Sequence, residues 1–403
     1  MESGTRLRDM RLDAIRGLLL ILMAGVHVPT PVSHSLQEPL GFISEAEGFI
    51  FLSACLAGFA YGKTYWQKDW SAMAGRVWRR VGKIYFIHLV VVVPVVLLAW
   101  LFAGQMTPLA NHFHDFLLHP WGSLALIPFL LHQPPLFDIL PLYILLLGAT
   151  PWLLAVARRR GWGIVLACSA IGWLAAQFDL TAHLVGDPWR FLPLCGGAFN
   201  LLAWQLVWVA GLALGETALR RPLLAGQWRS TVAAISASIV LAGLLARHGF
   251  ISCNPDWFRW MDKWTLGPLR LLNFTAWVGL LLAWNPRVPV RPLAPLALLG
   301  RHSLAVFAFH LPLVVAATTI IGVVAPPAAV QTDIGLLVIV LLFPWATWLE
   351  CCHPRSPVPA VGIPVSAGRL SLRTGGGTVE LQPEVPLRPL FPRVRASARI
   401  VHV

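Results

Sequence analysis

Charged residues are scarce in this sequence: they make up 12% of its 403 residues, while 57% of the residues are apolar. A soluble domain carries about 25% charged residues, so this chain lacks the polar side chains that a water-facing surface needs. The composition therefore excludes an ordinary soluble protein and predicts an all-α bundle whose apolar helices cross a membrane several times. The net charge of +13 comes from basic residues in short segments between apolar runs, which indicates membrane topology and not nucleic-acid binding.

Motifs that bind nucleotides or carry a nucleophile are also missing. The sequence contains no Walker phosphate loop, no glycine-rich dinucleotide fingerprint and no serine nucleophile elbow, which argues against an energised pump. None of its six cysteines shows zinc-finger or redox spacing. The adjacent Cys351, Cys352 and His353 fit poorly around one ion, because zinc ligands are normally spread along the chain. We therefore predict no metal site and no permanently bound cofactor.

Ten apolar runs are candidates for membrane-spanning helices, since a span needs roughly 20 mostly apolar residues. With both termini in the cytoplasm, the basic clusters 63–83 and 158–160 lie on the inner side, as the positive-inside rule requires. The run 121–131 is too short to span and is predicted to be re-entrant or interfacial. The predicted spans are 12–28, 48–61, 84–102, 137–157, 162–178, 199–219, 229–246, 268–284, 303–324 and 333–349.

The chain changes character after residue 350. Residues 351–403 contain eight prolines and seven arginines but no lysine, and their apolar residues show no helical period. Such a composition is typical of disorder. We therefore predict one membrane domain over residues 1–350 and a disordered Pro/Arg-rich tail, without chemistry of its own, over residues 351–403.

The first predicted helix carries Asp13, Arg16 and His27. A charged residue at membrane depth costs roughly 2.5–3.5 kcal/mol on insertion scales, so those that persist are candidate functional groups. Eleven positions separate Arg16 from His27, which at about 100° per residue is three turns plus about 20°, with a rise of about 16 Å. The helix therefore presents a cation and an imidazole on one stripe at two depths. A structural interpretation is equally open, in which Asp13 pairs with Arg16 and His27 marks the membrane interface.

Acidic residues at two helix starts also have two interpretations each. Glu47 fits a capping box with Ser44, in which a carboxylate suits the positive end of the helix. Alternatively, Glu47 orients or charges His27 from across the outer mouth of the bundle. Asp138 is either the cap of the fourth predicted helix or a site residue.

Two polar residues inside later helices also have both a structural and a functional interpretation. His310 lies within the ninth predicted helix and is followed by Pro312, and an imidazole at that depth needs a hydrogen-bonding partner. Gln205 belongs either to a site or to a hydrogen bond between two helices.

These residues, taken in order along the chain, resemble a known family. Arg16, ten intervening residues and His27 match the first-helix motif of the acyltransferase 3 superfamily of membrane-bound acyltransferases. The full set resembles, more specifically, the OpgC family, the succinyltransferases of osmoregulated periplasmic glucans. The sequence departs from that pattern at Ala54, where Gly is usual, and at Asn273, where His is common, and residues 351–403 match no part of it. The matching stretches are 11–17, 45–53, 138–143, 199–205, 269–272 and 300–310.

The resemblance implies a multi-pass enzyme of the bacterial inner membrane that moves an acyl group, succinyl first of all, from cytoplasmic acyl-CoA to hydroxyls of periplasmic glucans. Arg16 would attract an anionic part of the donor, which is succinyl-CoA or acetyl-CoA. His27 would act as general base or carry the acyl group, and Glu47 would orient it. The implied partners are the lipid bilayer, the glucan acceptor and glucan-synthesis proteins, with no nucleic acid. The implied substrate-binding or pore-lining residues are Asp13, Ser53, Asp138, Tyr143, Trp204, Gln205, Arg270 and His310.

Three other functions stay open at this stage. A transporter could use the same arginine, histidine and acidic residues to move a proton or an anionic solute, although the spans show no internal repeat of the kind that many transporters carry. A related membrane sugar acetyltransferase would share the first-helix pattern and use a different donor. The chain could also be a non-catalytic assembly partner for glucan synthesis.

Overall fold

The protein folds as a set of apolar α-helices joined mostly by short connections. Among the described residues, the exceptions are two strands of two residues each, β1 (Arg373–Thr374) and β2 (Gly377–Thr378), which pair antiparallel. The predicted all-α class is therefore confirmed for the body of the chain. This computed structural model describes residues 10–178, 196–218, 226–251, 255–284, 291–352, 373–374 and 377–378.

The helices vary from single turns to a rod of 33 residues. In the described ranges, three 3₁₀ segments lie between the helices, at Ile127–Phe129, Pro255–Met261 and Arg291–Leu293. The α-helices of the described ranges are α1 (Met10–His27), α2 (Ser33–Leu36), α3 (Glu45–Gln67), α4 (Trp70–Phe102), α5 (Thr107–His112), α6 (His114–Leu118), α7 (Pro120–Leu126), α8 (Ile139–Arg160), α9 (Trp162–Ala176), α10 (Leu201–Thr217), α11 (Gly226–Arg247), α12 (Pro268–Trp284), α13 (Ala294–Arg301), α14 (Ser303–Val324) and α15 (Ala328–Cys352).

Five described helices are long and apolar enough to cross a membrane: α4, α8, α11, α14 and α15. Three shorter apolar helices, α9, α10 and α12, coincide with further predicted runs. Helices α1 and α3 have 18 and 23 residues, but they carry the acidic and basic residues that make them less apolar. The apolar helical architecture is thus confirmed, while the count of ten spans and their orientation stay predictions.

The long helix α4 corrects one predicted boundary. It begins at Trp70, well before the predicted residue 84, because a polar cap starts it and its first turns carry basic residues. The Asp69 carboxylate accepts the backbone N–H of Ala72 at 2.7 Å, and this bond lowers the pKa of Asp69. Hydropathy locates only the apolar part of a helix, whereas the cap and the backbone bonds set its true start.

Helix α1 packs against α13 through two glycines. A Cβ added at Gly17 would fall on the carbonyl oxygen of Leu296, and one added at Gly300 would fall on the carbonyl oxygen of Asp13. Small residues let helix backbones approach closely where lipid supplies no hydrophobic drive for association. This approach brings the backbone of α13 next to Arg16.

A second close contact accommodates Ala54, which stands where the family pattern usually has Gly. Ala54 is fully buried in α3 and faces Gly211 of α10. A Cβ added at Gly211 would lie 2.7 Å from the Ala54 Cβ. The partner helix therefore supplies the small residue, and the close packing is kept.

Candidate active site

Arg16 contacts the junction between α13 and α14. Its Nη2 donates to the Gly300 carbonyl at 3.0 Å and to the Ser303 hydroxyl at 3.1 Å. Its Nη1 lies 3.9 Å from Oδ1 of Asp13, which is buried. The Asp13–Arg16 pair that the spacing suggested is therefore present, and the two added contacts hold the guanidinium at the edge of a cavity.

A cavity of about 180 Å³ lies beside Arg16, between α1, α3, α4, α8 and α14. Three of the predicted site residues line it together: Arg16, Ser53 and Tyr143. The sequence pattern did not single out Arg80 and Tyr61, which also line it. Arg80 makes no ion pair among the residues that the structure describes. Two guanidinium groups and several hydroxyls around one cavity suit an anionic ligand that also carries polar oxygens.

His27, the last residue of α1, stacks on His310 of α14 with ring centroids 5.8 Å apart and planes 14° apart. Nδ1 of His310 is hydrogen-bonded to the Phe307 carbonyl. A carbonyl only accepts, so Nδ1 carries a proton, and in the neutral ring Nε2 then presents a lone pair.

The His27–His310 pair also contains polar atoms without partners. Nε2 of His310 and Nδ1 of His27 are buried and have no hydrogen-bond partner among the described residues. Leaving such an atom unsatisfied costs about 1–3 kcal/mol, so a ligand that bonds it would recover that cost. Neither histidine lines the Arg16 cavity. The structure thus joins His27 to His310 and keeps both apart from Arg16.

Glu47 belongs to a charge network with a buried centre and a partly exposed edge, which we call the Arg270 network: Glu38, Ser44, Glu47, Arg247 and Arg270. Glu47 Oε2 accepts the Ser44 backbone N–H at 3.0 Å and the Ser44 hydroxyl, and Oε1 pairs with Arg270. Arg270 also pairs with Glu38, whose second oxygen lies 3.4 Å from Arg247 Nε. Glu47 and Arg270 are 0% and 1% exposed. Both Glu47 oxygens are therefore engaged, the capping box is present, and no contact among the described residues joins Glu47 to His27.

Two residues outside the predicted site act electrostatically on His27: Lys263 and His112. Lys263 also lies 3.6 Å from Glu45 at the start of α3. His112 ends the short helix α5, where burial lowers its pKa. The sequence points to Lys263 and His112 only through their position in connecting segments that mix polar and aromatic residues.

Asp138 ties two segments together just before α8. Its side chain does not cap that helix, and Oδ2 instead accepts the backbone N–H of Ala198 at 3.0 Å. The contact holds the segment that leads into α10 against the start of α8.

Gln205 and Trp204 make contacts between helices and connecting segments. Gln205 accepts the Ser169 hydroxyl at 2.6 Å and donates to the Ser169 carbonyl at 2.7 Å, which links α10 to α9. Trp204 is fully buried, and its indole N–H donates to the Trp264 carbonyl at 3.1 Å. Neither residue lines the Arg16 cavity, so the geometry favours the helix-to-helix interpretation of Gln205.

Asn273, the second departure from the family pattern, is 3% exposed, and its amide has no hydrogen-bond partner among the described residues. It packs on two glycines, Gly243 of α11 and Gly41, whose φ is +94°. In the part of the chain that the structure covers, no group of three or more His, Cys, Asp or Glu side chains is arranged to hold a metal ion.

Apolar helices of membrane length, with a cavity between them that two arginines line, define a helical membrane protein with a candidate site inside the bundle. The model of the OpgC protein family matches residues 8–353, and the chain therefore belongs to that family. Membership implies an acyltransferase that modifies osmoregulated periplasmic glucans. No curated protein and no solved structure matches the chain. The wider placement in the acyltransferase 3 superfamily stays a prediction from the Arg16–His27 spacing.

Proposed function

We propose that this protein transfers an acyl group, most simply succinyl, from cytoplasmic acyl-CoA to a hydroxyl of a periplasmic glucan. The observation that carries the proposal is the arrangement along α1, where Arg16 lines a polar cavity and His27 lies at the helix end. The two are separated by a rise of about 16 Å. A reaction with its donor and acceptor on opposite sides of a membrane requires two such sites within one bundle.

The donor binds at the Arg16 cavity in this proposal. Arg16 shares its charge with Asp13, whereas Arg80 has no carboxylate partner among the described residues and is available to a phosphate or to the free carboxylate of succinyl. Charge-assisted bonds from a guanidinium to such groups are the strong ones. Ser53 and Tyr143 offer hydroxyls to the rest of the donor.

The acceptor reacts at the histidine pair. The sugar hydroxyl oxygen attacks the thioester carbonyl carbon, the carbon–sulfur bond breaks, and an ester bond to the sugar forms. His27 takes the hydroxyl proton, and the departing thiolate of coenzyme A is protonated in turn. Nε2 of His310 presents a second lone pair beside this step, so His310 positions the hydroxyl or shares its proton. A positioned base contributes typically 10²–10⁴-fold to such a reaction.

The proposal includes ten spans, both termini in the cytoplasm and a place in the bacterial inner membrane. Helices α1 and α3 count among the spans despite their charged residues. Support comes from the pairing of those charges, Asp13 with Arg16 and Glu47 with Arg270, because ionisable residues inside membranes persist when they face the bundle and pair. The glucan acceptor and glucan-synthesis proteins are the proposed partners at the outer surface.

Mass spectrometry of periplasmic glucans tests this function. A strain that lacks the chain should lose acylated glucans and regain them with the wild-type gene, and the added mass identifies succinyl or acetyl. Purified protein offered succinyl-CoA and acetyl-CoA separately distinguishes the two transferases. Uptake of an anionic solute into vesicles without any acylation would support a transporter instead. Unchanged acylation in the deletion strain would support the assembly partner.

A further inference from the structure

Two stacked aromatic residues line the Arg16 cavity, and one of them also contacts the histidine pair. Phe49 of α3 and Phe307 of α14 both line the cavity, and their rings stack with centroids 6.2 Å apart and planes 27° apart. The Phe307 ring also meets the His310 ring, at 4.8 Å and 67°. His310 and His27 do not line the cavity. Phe307 therefore lies between the cavity and the histidine pair.

We infer that Phe49 and Phe307 form an aromatic partition that keeps the donor thioester apart from the histidine pair until the glucan hydroxyl has bound there. This inference rests on the proposed function. Without a partition, water could reach the thioester beside an imidazole base. The water oxygen would then attack the carbonyl carbon, the carbon–sulfur bond would break, and the products would be the free acid and coenzyme A. Excluding water from a reactive intermediate is a recognised way to suppress such a side reaction.

The two rings differ in their freedom to move. Phe307 is 2% exposed, its ring contacts Phe49 and His310, and its carbonyl accepts from His310 Nδ1. Phe49 is only partly buried and borders the empty volume of the cavity. In this partition Phe307 is the fixed side chain, and Phe49 is the side chain that rotates to let the thioester reach the histidine pair.

The experiment uses the purified full-length protein in lipid nanodiscs with succinyl-CoA or acetyl-CoA, whichever the wild type uses. Release of the coenzyme A thiol is measured with and without glucan, and acylated glucan is measured in parallel. The variants are Phe49→Ala and the milder Phe49→Leu. The control is Phe51→Ala, on the same helix, because Phe51 packs edge-on against Phe274 at 5.3 Å and does not line the cavity.

In the wild type, thiol release should depend on glucan and equal the ester formed. Phe49→Ala should raise glucan-independent release several-fold and lower the yield of ester per thiol, Phe49→Leu should do so less, and Phe51→Ala should behave as wild type. Unchanged coupling in both folded Phe49 variants, or equal uncoupling in Phe51→Ala, would overturn the partition while leaving the proposed function intact. A wild type that acylates glucan from neither donor would overturn the proposed function itself.

Discussion

The Arg270 network and the His27–His310 pair are both buried polar clusters, and Lys263 acts electrostatically on Glu47 of one and on His27 of the other. They differ in how their groups are paired, although Nη2 of Arg270 in the network also has no hydrogen-bond partner among the described residues. The network links acidic and basic groups from α3, α11, α12 and the segment after α2, and each of its carboxylates has a cationic partner. In the histidine pair, one ring nitrogen of each residue has no partner among the described residues.

The difference separates groups that hold the fold from groups left available to a ligand. A buried charge persists when it is paired, and removing one partner leaves the other uncompensated. A buried imidazole nitrogen without a partner adds nothing to stability, and its retention is better explained by contact with a substrate.

The largest effect is expected for His27→Ala. Loss of the general base should reduce acyl transfer by roughly 10²–10⁴-fold. Thermal unfolding in detergent should stay at the wild-type temperature, because Nδ1 of His27 has no hydrogen-bond partner among the described residues. The matched control is His34→Ala, since His34 is exposed, and its activity should not change. Normal glucan acylation by folded His27→Ala protein would contradict the proposed role.

Substitutions in the Arg270 network should lower the stability of the protein, whereas the His27 substitution lowers its activity. Arg270→Met alone should destabilise the protein by about 3–5 kcal/mol, because it leaves the buried Glu47 carboxylate without its cationic partner. Glu47→Leu alone should destabilise the protein less, because Arg270 keeps its pair with Glu38. The double variant should recover much of that loss, and unfolding in detergent measures all three. If Glu47→Leu instead kept wild-type stability and lost activity, Glu47 would act on His27. The Arg270 network would then not be purely structural, and the contrast with the histidine pair would be wrong.

A smaller effect is expected for Arg80→Gln at the cavity. A hydrogen bond to a charged group contributes about 1.5–3 kcal/mol, so the KM for acyl-CoA should rise roughly 10–150-fold with a lesser change in kcat. Arg79→Gln is the control, because exposed Arg79 donates to the Gly75 carbonyl of its own helix and makes no other bond within the described ranges. Equal effects in the two variants would indicate general attraction of the donor by surface charge.

The smallest effect is expected for Gln205→Leu. The loss of its bonds to Ser169 should cost about 0.6–1.7 kcal/mol, the range for hydrogen bonds between membrane helices. Acyl transfer should continue at the wild-type rate. A large fall in activity with intact stability would indicate that Gln205 is a substrate-binding residue.

Much of the local structure could be predicted from the pattern of residues. Apolar runs located the helices, the Ser44–Glu47 spacing predicted the capping box, and the Asp13–Arg16 spacing predicted an ion pair. These features depend on neighbours within one or two turns, so sequence spacing is enough to identify them. The start of α4 was misplaced because basic residues hide a helix from a hydropathy pattern.

The sequence by itself determined that this is an apolar helical membrane protein, that Arg16 and His27 share one helical stripe, and that the family is OpgC. Only the tertiary structure decided which groups meet across helices. Arg270 reaches Glu47 over 223 positions of chain, His310 stacks on His27, and Phe307 stands between the cavity and the histidines. No periodicity records such contacts, because they depend on how separate helices pack together, and close packing of that kind is set by glycines such as Gly17 and Gly300, whose partners are distant in sequence.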